Sequence, residues 1–91
     1  EFLEFINVPG DLELALEELT VNPNSELIGK SIPEANIRQR TGETLVSIHR
    51  GPENTTLTLS EDIRFEEGDG LIALGTFDQL ASLEKLCLNR N

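Results

Sequence analysis

The sequence contains no methionine, tryptophan or tyrosine, and its only aromatic residues are four phenylalanines. A surface that stacks nucleobases needs several aromatic side chains, so a platform for single-stranded nucleic acid is not expected. Basic residues are also scarce, because seven Lys and Arg stand against seventeen Asp and Glu and give a net charge of −10. Phosphate backbones and anionic lipid surfaces are bound by a surplus of Lys and Arg. We therefore expect neither a nucleic-acid partner nor a polybasic membrane anchor.

Cysteine is represented by Cys87 alone, which excludes an internal disulfide and fits a reducing, cytoplasmic compartment. No apolar run approaches the roughly 18–20 residues that a membrane span requires, and the N-terminus does not resemble a signal peptide. Direct membrane insertion is therefore not expected. Because the chain begins at Glu1 rather than at a methionine, we expect it to be part of a longer protein.

About a third of the residues are Leu, Ile, Val or Phe, well above the roughly 20% below which a charged chain stays disordered. A domain of this length buries only about 60–65% of its unfolded surface, so its stability is modest and oligomerisation would add to it. Residues 1–11, which contain the turn signal Pro9-Gly10, are interpreted as a connector or edge strand entering from a preceding domain, or as an artificial remnant. Residues 12–91 are interpreted as one domain.

Alternation of apolar and polar residues predicts strands, and capping residues predict helices. The predicted strands are 12–21 with a bulge near Glu17-Glu18, 44–50, 55–60 and 70–76, and the predicted helices are 31–40 and 79–88. Ser31 and Asp78 are the expected N-caps, and Leu80, Leu83, Leu86 and Cys87 are expected to face inward from the last helix. This arrangement predicts a small α+β fold, an antiparallel sheet with two short helices.

Several local patterns imitate functional motifs without meeting their requirements. Gly29-Lys30-Ser31 lacks the glycine-rich loop of a phosphate-binding P-loop, and the acidic turn 66–69 does not have the ligand spacing of a calcium loop. His49 has no second histidine to share a metal, and Cys87 has no sequence signal for an activating base. We therefore predict a protein that is not an enzyme and has no metal site.

Charge is distributed unevenly along the chain. Residues 1–28 hold seven acids and no base, residues 51–91 hold eight acids and three bases, and the stretch 30–50 is locally positive. We call the four cations of that stretch the basic island; they are Lys30, Arg38, Arg40 and Arg50. Arg38 and Arg40 fall in the last predicted turn of the first helix, where cations compensate the helix dipole. The alternative is an anion site, because arginine offers a bidentate fork to phosphate or carboxylate.

The order of these elements resembles the RCK C-terminal domain, also called the TrkA-C domain, of potassium channels and transporters. The resemblance covers residues 12–88 and rests on five motifs in the expected order. The motifs are Glu18-Leu19-x-Val21, Ser25-x-Leu27-x-Gly29-Lys30-Ser31-Ile32, Asn36-Ile37-Arg38 with Thr41-Gly42, Leu45-Val46-x-Ile48-x-Arg50, and Gly68-Asp69-x-Leu71-Ile72-x-Leu74-Gly75.

The resemblance implies a cytoplasmic regulatory domain that follows a Rossmann-type nucleotide-binding domain, forms a homodimer and controls a membrane cation channel, transporter or antiporter. In one branch of the family the dimer interface binds cyclic di-adenosine monophosphate (cyclic di-AMP). With Arg40 added from the basic island, the candidate ligand-binding residues are Ile32, Pro33, Asn36, Ile37, Arg38, Arg40 and Thr44. The dinucleotide-binding glycine fingerprint is absent from this chain, so no NAD-type cofactor is expected in this domain. The alternative is a structural dimerisation domain with no small ligand.

Overall fold

The computed structural model describes residues 1–10 and 12–88, so Asp11 and residues 89–91 of the predicted domain lie outside the described part. The described residues contain five strands and three helical segments. In chain order these are β1 (Phe2–Val8), β2 (Leu12–Thr20), α1 (Ile32–Ala35), α2 (Ile37–Thr41), β3 (Thr44–Arg50), β4 (Thr55–Leu57), β5 (Gly70–Gly75) and α3 (Phe77–Leu88). The strands form one antiparallel sheet in the order β1-β2-β5-β3-β4, which confirms the predicted α+β class.

The core lies between the helices and one face of the sheet. The periodicity of α3 places Leu80, Leu83, Leu86 and Cys87 inward, as predicted, and all four are buried. They join buried strand and loop residues in a single hydrophobic cluster, whose larger members include Leu19, Val21, Leu27, Ile37, Ile48, Phe65 and Leu71. The central strand β5 is the most deeply buried strand, because it has a neighbouring strand on each side and helices over one face.

The predicted bulge in β2 is wrong. β2 pairs with β5 without interruption from Ala15 to Thr20, and the register shift lies in β1, between Phe2 and Glu4. The inward face of β2 carries Ala15, Glu17 and Leu19 at strict alternation, while the opposite face includes Leu14 and Leu16. Along the sequence, the alternation of apolar and polar residues changes phase, because both faces of the strand carry apolar residues and the inward face includes Glu17.

The predicted first helix is broken into two segments. Ser31 caps α1 as predicted, in a capping box: its hydroxyl accepts from the Glu34 amide at 3.2 Å, and its own amide donates to the Glu34 carboxylate at 2.9 Å. Asn36 then adopts a left-handed conformation (φ 52°) that ends α1 and begins α2. Asparagine tolerates this region better than most residues, and Gly42 (φ 82°) ends α2 in the same way.

The last helix begins earlier than predicted, and Thr76 replaces Asp78 as its cap. The Thr76 hydroxyl accepts from the Gln79 amide at 3.3 Å, and the Gln79 side chain accepts from the Thr76 amide at 2.9 Å. This is a threonine–glutamine capping box, which satisfies two of the backbone amides that a helix start leaves free. Strand β4 also ends at Leu57 rather than residue 60, and Leu59 is exposed.

Residues 1–10 contribute the edge strand β1, one of the two structural interpretations of this segment given above. Phe2 and Phe5 of β1 form an aromatic cluster with Phe77 at the start of α3, with ring centroids 5.5–6.0 Å apart. All three rings are more than 40% exposed. Within the described part of the chain, no helix has the length and apolar character needed to cross a bilayer.

Candidate functional site

A cleft of about 290 Å³ opens where α1 and α2 meet the start of β3. It is lined by Ile32, Pro33, Asn36, Ile37, Arg38, Glu43, Thr44 and Leu45. We call it the α1–β3 cleft. Six of the seven candidate residues therefore lie together around one opening. Arg40 does not line it. Glu43 and Leu45 line the cleft but were not among the residues predicted from the sequence.

The break at Asn36 gives the cleft its shape. Because the chain turns there, Ile37 faces the core at 4% exposure while Arg38, the next residue, is exposed at the mouth. The Asn36 side chain donates to the Gln39 side-chain oxygen at 3.2 Å. A continuous helix would have carried these residues around its axis instead of presenting them on one rim.

Among the described residues, three cations of the basic island are paired and Arg38 is not. Arg40 contacts the Glu26 carboxylate, and Lys30 lies 3.9 Å from the same oxygen. Arg50 pairs with Asp69 instead of reaching the cleft. Within residues 1–10 and 12–88, Arg38 makes no ion pair and no side-chain hydrogen bond, so its guanidinium is the cation available to a ligand in the α1–β3 cleft. A free, planar guanidinium at the mouth of a mostly apolar cleft suits phosphate or carboxylate.

Arg50 joins the sheet to the acidic turn that precedes β5. Its guanidinium donates to both Asp69 carboxylate oxygens, at 2.7 and 2.8 Å, and to the Arg64 carbonyl at 2.8 Å. The Asp69 side chain is fully buried and also accepts from the Glu66 amide at 2.8 Å. The hydrogen bonds to Asp69, with the charges of Asp69 and Glu66 adding to them, raise the pKa of Arg50 further above its usual range. Asp69 of the acidic turn therefore forms a structural ion pair with Arg50. The spacing of the two residues along the sequence did not reveal this pair.

Glu43 is the unexpected member of the cleft wall. It is fully buried, and neither of its carboxylate oxygens has a hydrogen-bond partner among the described residues. Burial, together with the nearby Glu17 carboxylate on β2, raises the pKa of Glu43 to about 7. Glu17 is itself only 8% exposed, and burial raises its pKa as well. Two acidic groups thus share the inward side of the sheet, where ionised carboxylates are costly.

The Glu43 carboxylate rests directly on Gly75, the last residue of β5. A methyl group at position 75 would approach both Glu43 oxygens more closely than van der Waals contact allows. We expect Gly75→Ala to destabilise the domain by about 1–3 kcal/mol in urea unfolding, because neither the sheet nor the buried side chain can easily move. Gly70→Ala, on the same strand, is the matched control, since its methyl would meet only the flexible end of Glu18.

The effect of Gly75→Ala also depends on where the Glu43 carboxylate lies. If the clash with Glu43 is the cause, adding Glu43→Ala to Gly75→Ala should recover most of the lost stability, giving a strong coupling in a double-mutant cycle. Additive effects of the two substitutions would contradict this placement of the carboxylate.

A second, shallower cleft of about 260 Å³ adjoins the first across Ile32, Pro33 and Leu45. Its other wall comes from Leu59, Ser60 and Glu61 after β4. The second cleft is mainly apolar, so the surface around α1 offers one region for a charged group and an adjacent region for an apolar or planar group.

The other residues considered as parts of functional motifs are Gly29, His49 and Cys87, and their contacts indicate structural roles. Gly29 adopts φ 85° in a turn, and its carbonyl accepts from Arg64 at 2.8 Å. His49 Nδ1 lies 3.9 Å from a Glu18 oxygen. Burial, with Glu84 and Glu17 adding to it, raises the pKa of the Cys87 thiol to about 12, which disfavours the thiolate needed for nucleophilic attack. Among the described residues, no group of three or more His, Cys, Asp or Glu is placed to hold a metal.

The fold and the cleft together define a small α+β domain with an arginine-bearing cleft beside a broken helix. The chain belongs to the TrkA-C domain family, whose family model matches residues 16–88. It is 36% identical over 74 residues to "Probable potassium channel protein 2" of Methanocaldococcus jannaschii. That match covers 81% of this chain and 21% of the relative, so the chain spans about a fifth of that protein.

Solved structures of two proteins share the fold. One is the RCK_C domain dimer of S. agalactiae BusR in complex with c-di-AMP, at TM-score 0.67 and 33% identity, covering 78% of this chain and 86% of that one. BusR in complex with its busAB-promotor DNA also matches, at TM-score 0.67 and 30% identity, covering 87% and 37%. The GsuK channel matches at TM-score 0.67 and 36% identity, covering 81% of this chain and 13% of the channel.

Proposed function

We propose that this domain is a cytoplasmic regulatory module of a potassium or other cation channel, transporter or antiporter, and that it binds a cyclic dinucleotide between two copies of itself. The role proposed for the domain is to regulate transport rather than to catalyse a reaction. We also propose that the domain works with a preceding Rossmann-type domain and a membrane-spanning unit. The similarity to a potassium channel and to the GsuK channel supports the transport setting.

The observation that carries the ligand proposal is the α1–β3 cleft. It gathers Ile32, Pro33, Asn36, Ile37, Arg38 and Thr44 around one unpaired guanidinium. A phosphate at Arg38 would receive a charge-assisted, bidentate pair, while the adjoining apolar surface would cover a base. The BusR RCK_C dimer, which carries c-di-AMP, supports the same ligand class here. Arg40 is excluded from the proposed contacts, because it is paired with Glu26 away from the cleft.

A dimer explains why the ligand would be a symmetric dinucleotide. Two clefts related by a two-fold axis present two Arg38 side chains, and a ligand with two equivalent phosphates matches that symmetry. Such a ligand contacts both subunits, so it binds most tightly to the dimer geometry in which both clefts fit. The difference between its binding free energies for the two dimer geometries would shift the equilibrium of the attached gate by the same amount.

Binding of cyclic di-AMP to the chain, measured by isothermal titration calorimetry, tests the proposal. We expect Arg38→Ala to weaken binding at least tenfold, because hydrogen bonds to a charged group contribute about 1.5–3 kcal/mol. Arg40→Ala is the matched control, an exposed arginine two residues away that should leave the affinity nearly unchanged. The absence of heat or thermal stabilisation at millimolar ligand would exclude the cyclic dinucleotide.

A second candidate function, a structural dimerisation domain without a ligand, is favoured by one observation. Several apolar side chains are exposed, including Val46 at 47% and Leu59, which lines the second cleft, at 39%. Light scattering separates the two proposals. A dimer whose stability is unaffected by any cyclic dinucleotide and only slightly changed by Arg38→Ala would favour the structural role.

The expectation of no nucleic-acid partner stays a prediction based on the net charge of −10. A gel-shift experiment with duplex DNA at low salt would test it, because electrostatic binding is strongest there.

A further inference from the structure

Glu43 is a lining residue of the proposed ligand cleft, and its carboxyl group has no hydrogen-bond donor among the described residues. It is fully buried, both oxygens lack hydrogen-bond partners among the described residues, and Gly75 closes the space beside it. A buried carboxyl group without donors is stable only when it is neutral. The cleft therefore contains a group whose proton occupancy is sensitive to any nearby charge.

The nearest carboxylate to act on Glu43 favours its neutral form. From β2, the Glu17 carboxylate acts on it directly; Glu84 of α3 in turn raises the pKa of Glu17, whereas the Glu1 ammonium, 3.7 Å from the Glu17 carboxylate, lowers it. The other polar groups packed here are uncharged: Gln79 of α3 borders Gly42, and the Thr41 hydroxyl accepts from the Glu43 amide at 3.0 Å. Arg38 lines the same cleft but is exposed at its mouth rather than paired with the carboxyl group.

An anionic ligand in the cleft would add one more negative charge beside Glu43. Because the ligand would engage Arg38, that cation would no longer offset the added charge, and the repulsion felt by an ionised Glu43 would increase. Binding of an anion and protonation of Glu43 then reinforce each other, and by linkage each raises the affinity for the other.

We propose that the α1–β3 cleft binds its anionic ligand together with a proton, and that Glu43 is the group that holds this proton. The inference rests on the proposed function, since it concerns the same cleft and the same class of ligand. Its consequence is that the domain responds to ligand and to pH jointly. Because burial has already moved the Glu43 pKa to about 7, the response falls in the physiological range.

Calorimetry with cyclic di-AMP between pH 6.5 and pH 8.5, in buffers of different ionisation enthalpy, tests the proposal. The phosphodiesters of this ligand do not titrate in that range, so any proton uptake belongs to the protein. We expect net proton uptake on binding near pH 7 and an affinity that falls at least threefold towards pH 8.5. Glu43→Gln, which mimics the neutral acid, should abolish both the uptake and most of the pH dependence.

His49 is the control, because it is the chain's only histidine and lies outside the cleft lining. His49→Gln should retain the proton uptake of the unmodified chain. A carbon-13 NMR titration of the Glu43 carboxyl group provides a second readout, in which ligand should move its midpoint upward.

The possible results separate this inference from the proposed function. Binding with no proton uptake, or uptake that persists in Glu43→Gln, would overturn the inference and leave the ligand proposal standing. Absence of binding at every pH would overturn both, even if the Glu43 carboxyl group still titrated near neutrality in the unliganded chain. Proton uptake lost only in Glu43→Gln would support both.

Discussion

Replacing Arg50 with methionine is expected to destabilise the domain by about 3–5 kcal/mol, because the substitution leaves a buried carboxylate without its cation. Asp69 is fully buried, and Arg50 supplies two of its three side-chain hydrogen bonds. Only the Glu66 amide would remain as a donor. Since small domains have total stabilities of about 5–15 kcal/mol, this loss is a large share of the whole.

Chemical denaturation with urea, followed by circular dichroism, measures this loss. Arg64→Met is the matched control: Arg64 also pairs with a carboxylate, that of Glu34, but both side chains are more than half exposed. Exposed pairs contribute about 0–1 kcal/mol, so the control should unfold close to the unmodified chain. Replacing Asp69 with asparagine in the Arg50→Met background should recover part of the stability, and equal effects of the two arginine substitutions would contradict the buried ion pair.

Glu43→Gln is expected to stabilise the domain above pH 7 and to change little at pH 4. In the unfolded chain Glu43 ionises near its ordinary pKa of 4.5, whereas in the folded domain it ionises near 7. As pH rises between these two values, the unfolded state loses the proton and the folded state keeps it. Ionisation therefore favours the unfolded state increasingly, up to about 3 kcal/mol above pH 7.

Glutamine removes this penalty because it has nearly the same shape and never ionises. The measurement is urea unfolding of both chains at pH 4, 6 and 8, with Glu53→Gln as the control. Glu53 is exposed in the turn between β3 and β4, so its substitution should leave the pH profile unchanged. A stability difference between Glu43→Gln and the unmodified chain that does not grow with pH would refute the buried, unpartnered state of Glu43.

The features predicted correctly are those fixed by short-range patterns. Alternation in β3, the apolar run of β5, the turn after residue 50, the Ser31 cap and the inward face of α3 all follow from residues close together in sequence. The grouping of Ile32 to Arg38 with Thr44 came from the resemblance to a family, and the structure places these residues around one cleft.

The features that were missed depend on residues far apart. Glu43 follows a threonine-glycine pair and looks like an exposed turn residue, and only the packing of α3 and Gly75 over it makes it buried. The Arg50–Asp69 pair links positions 19 residues apart, so spacing could not distinguish it from a free cation and an acidic turn. Asn36 was missed as a helix break, because asparagine is also compatible with a helix interior at modest cost.

The order of strands in the sheet affects how the chain folds. β5 is the last strand to be synthesised, yet it lies at the centre of the sheet and pairs with β2 on one side and β3 on the other. Before residues 70–75 leave the ribosome, β2 and β3 have no common partner, and the pairings available are the local hairpins β1–β2 and β3–β4. Closing contacts over such separations is slow. We therefore expect the sheet to assemble only after synthesis of this segment is complete, in one late and cooperative step.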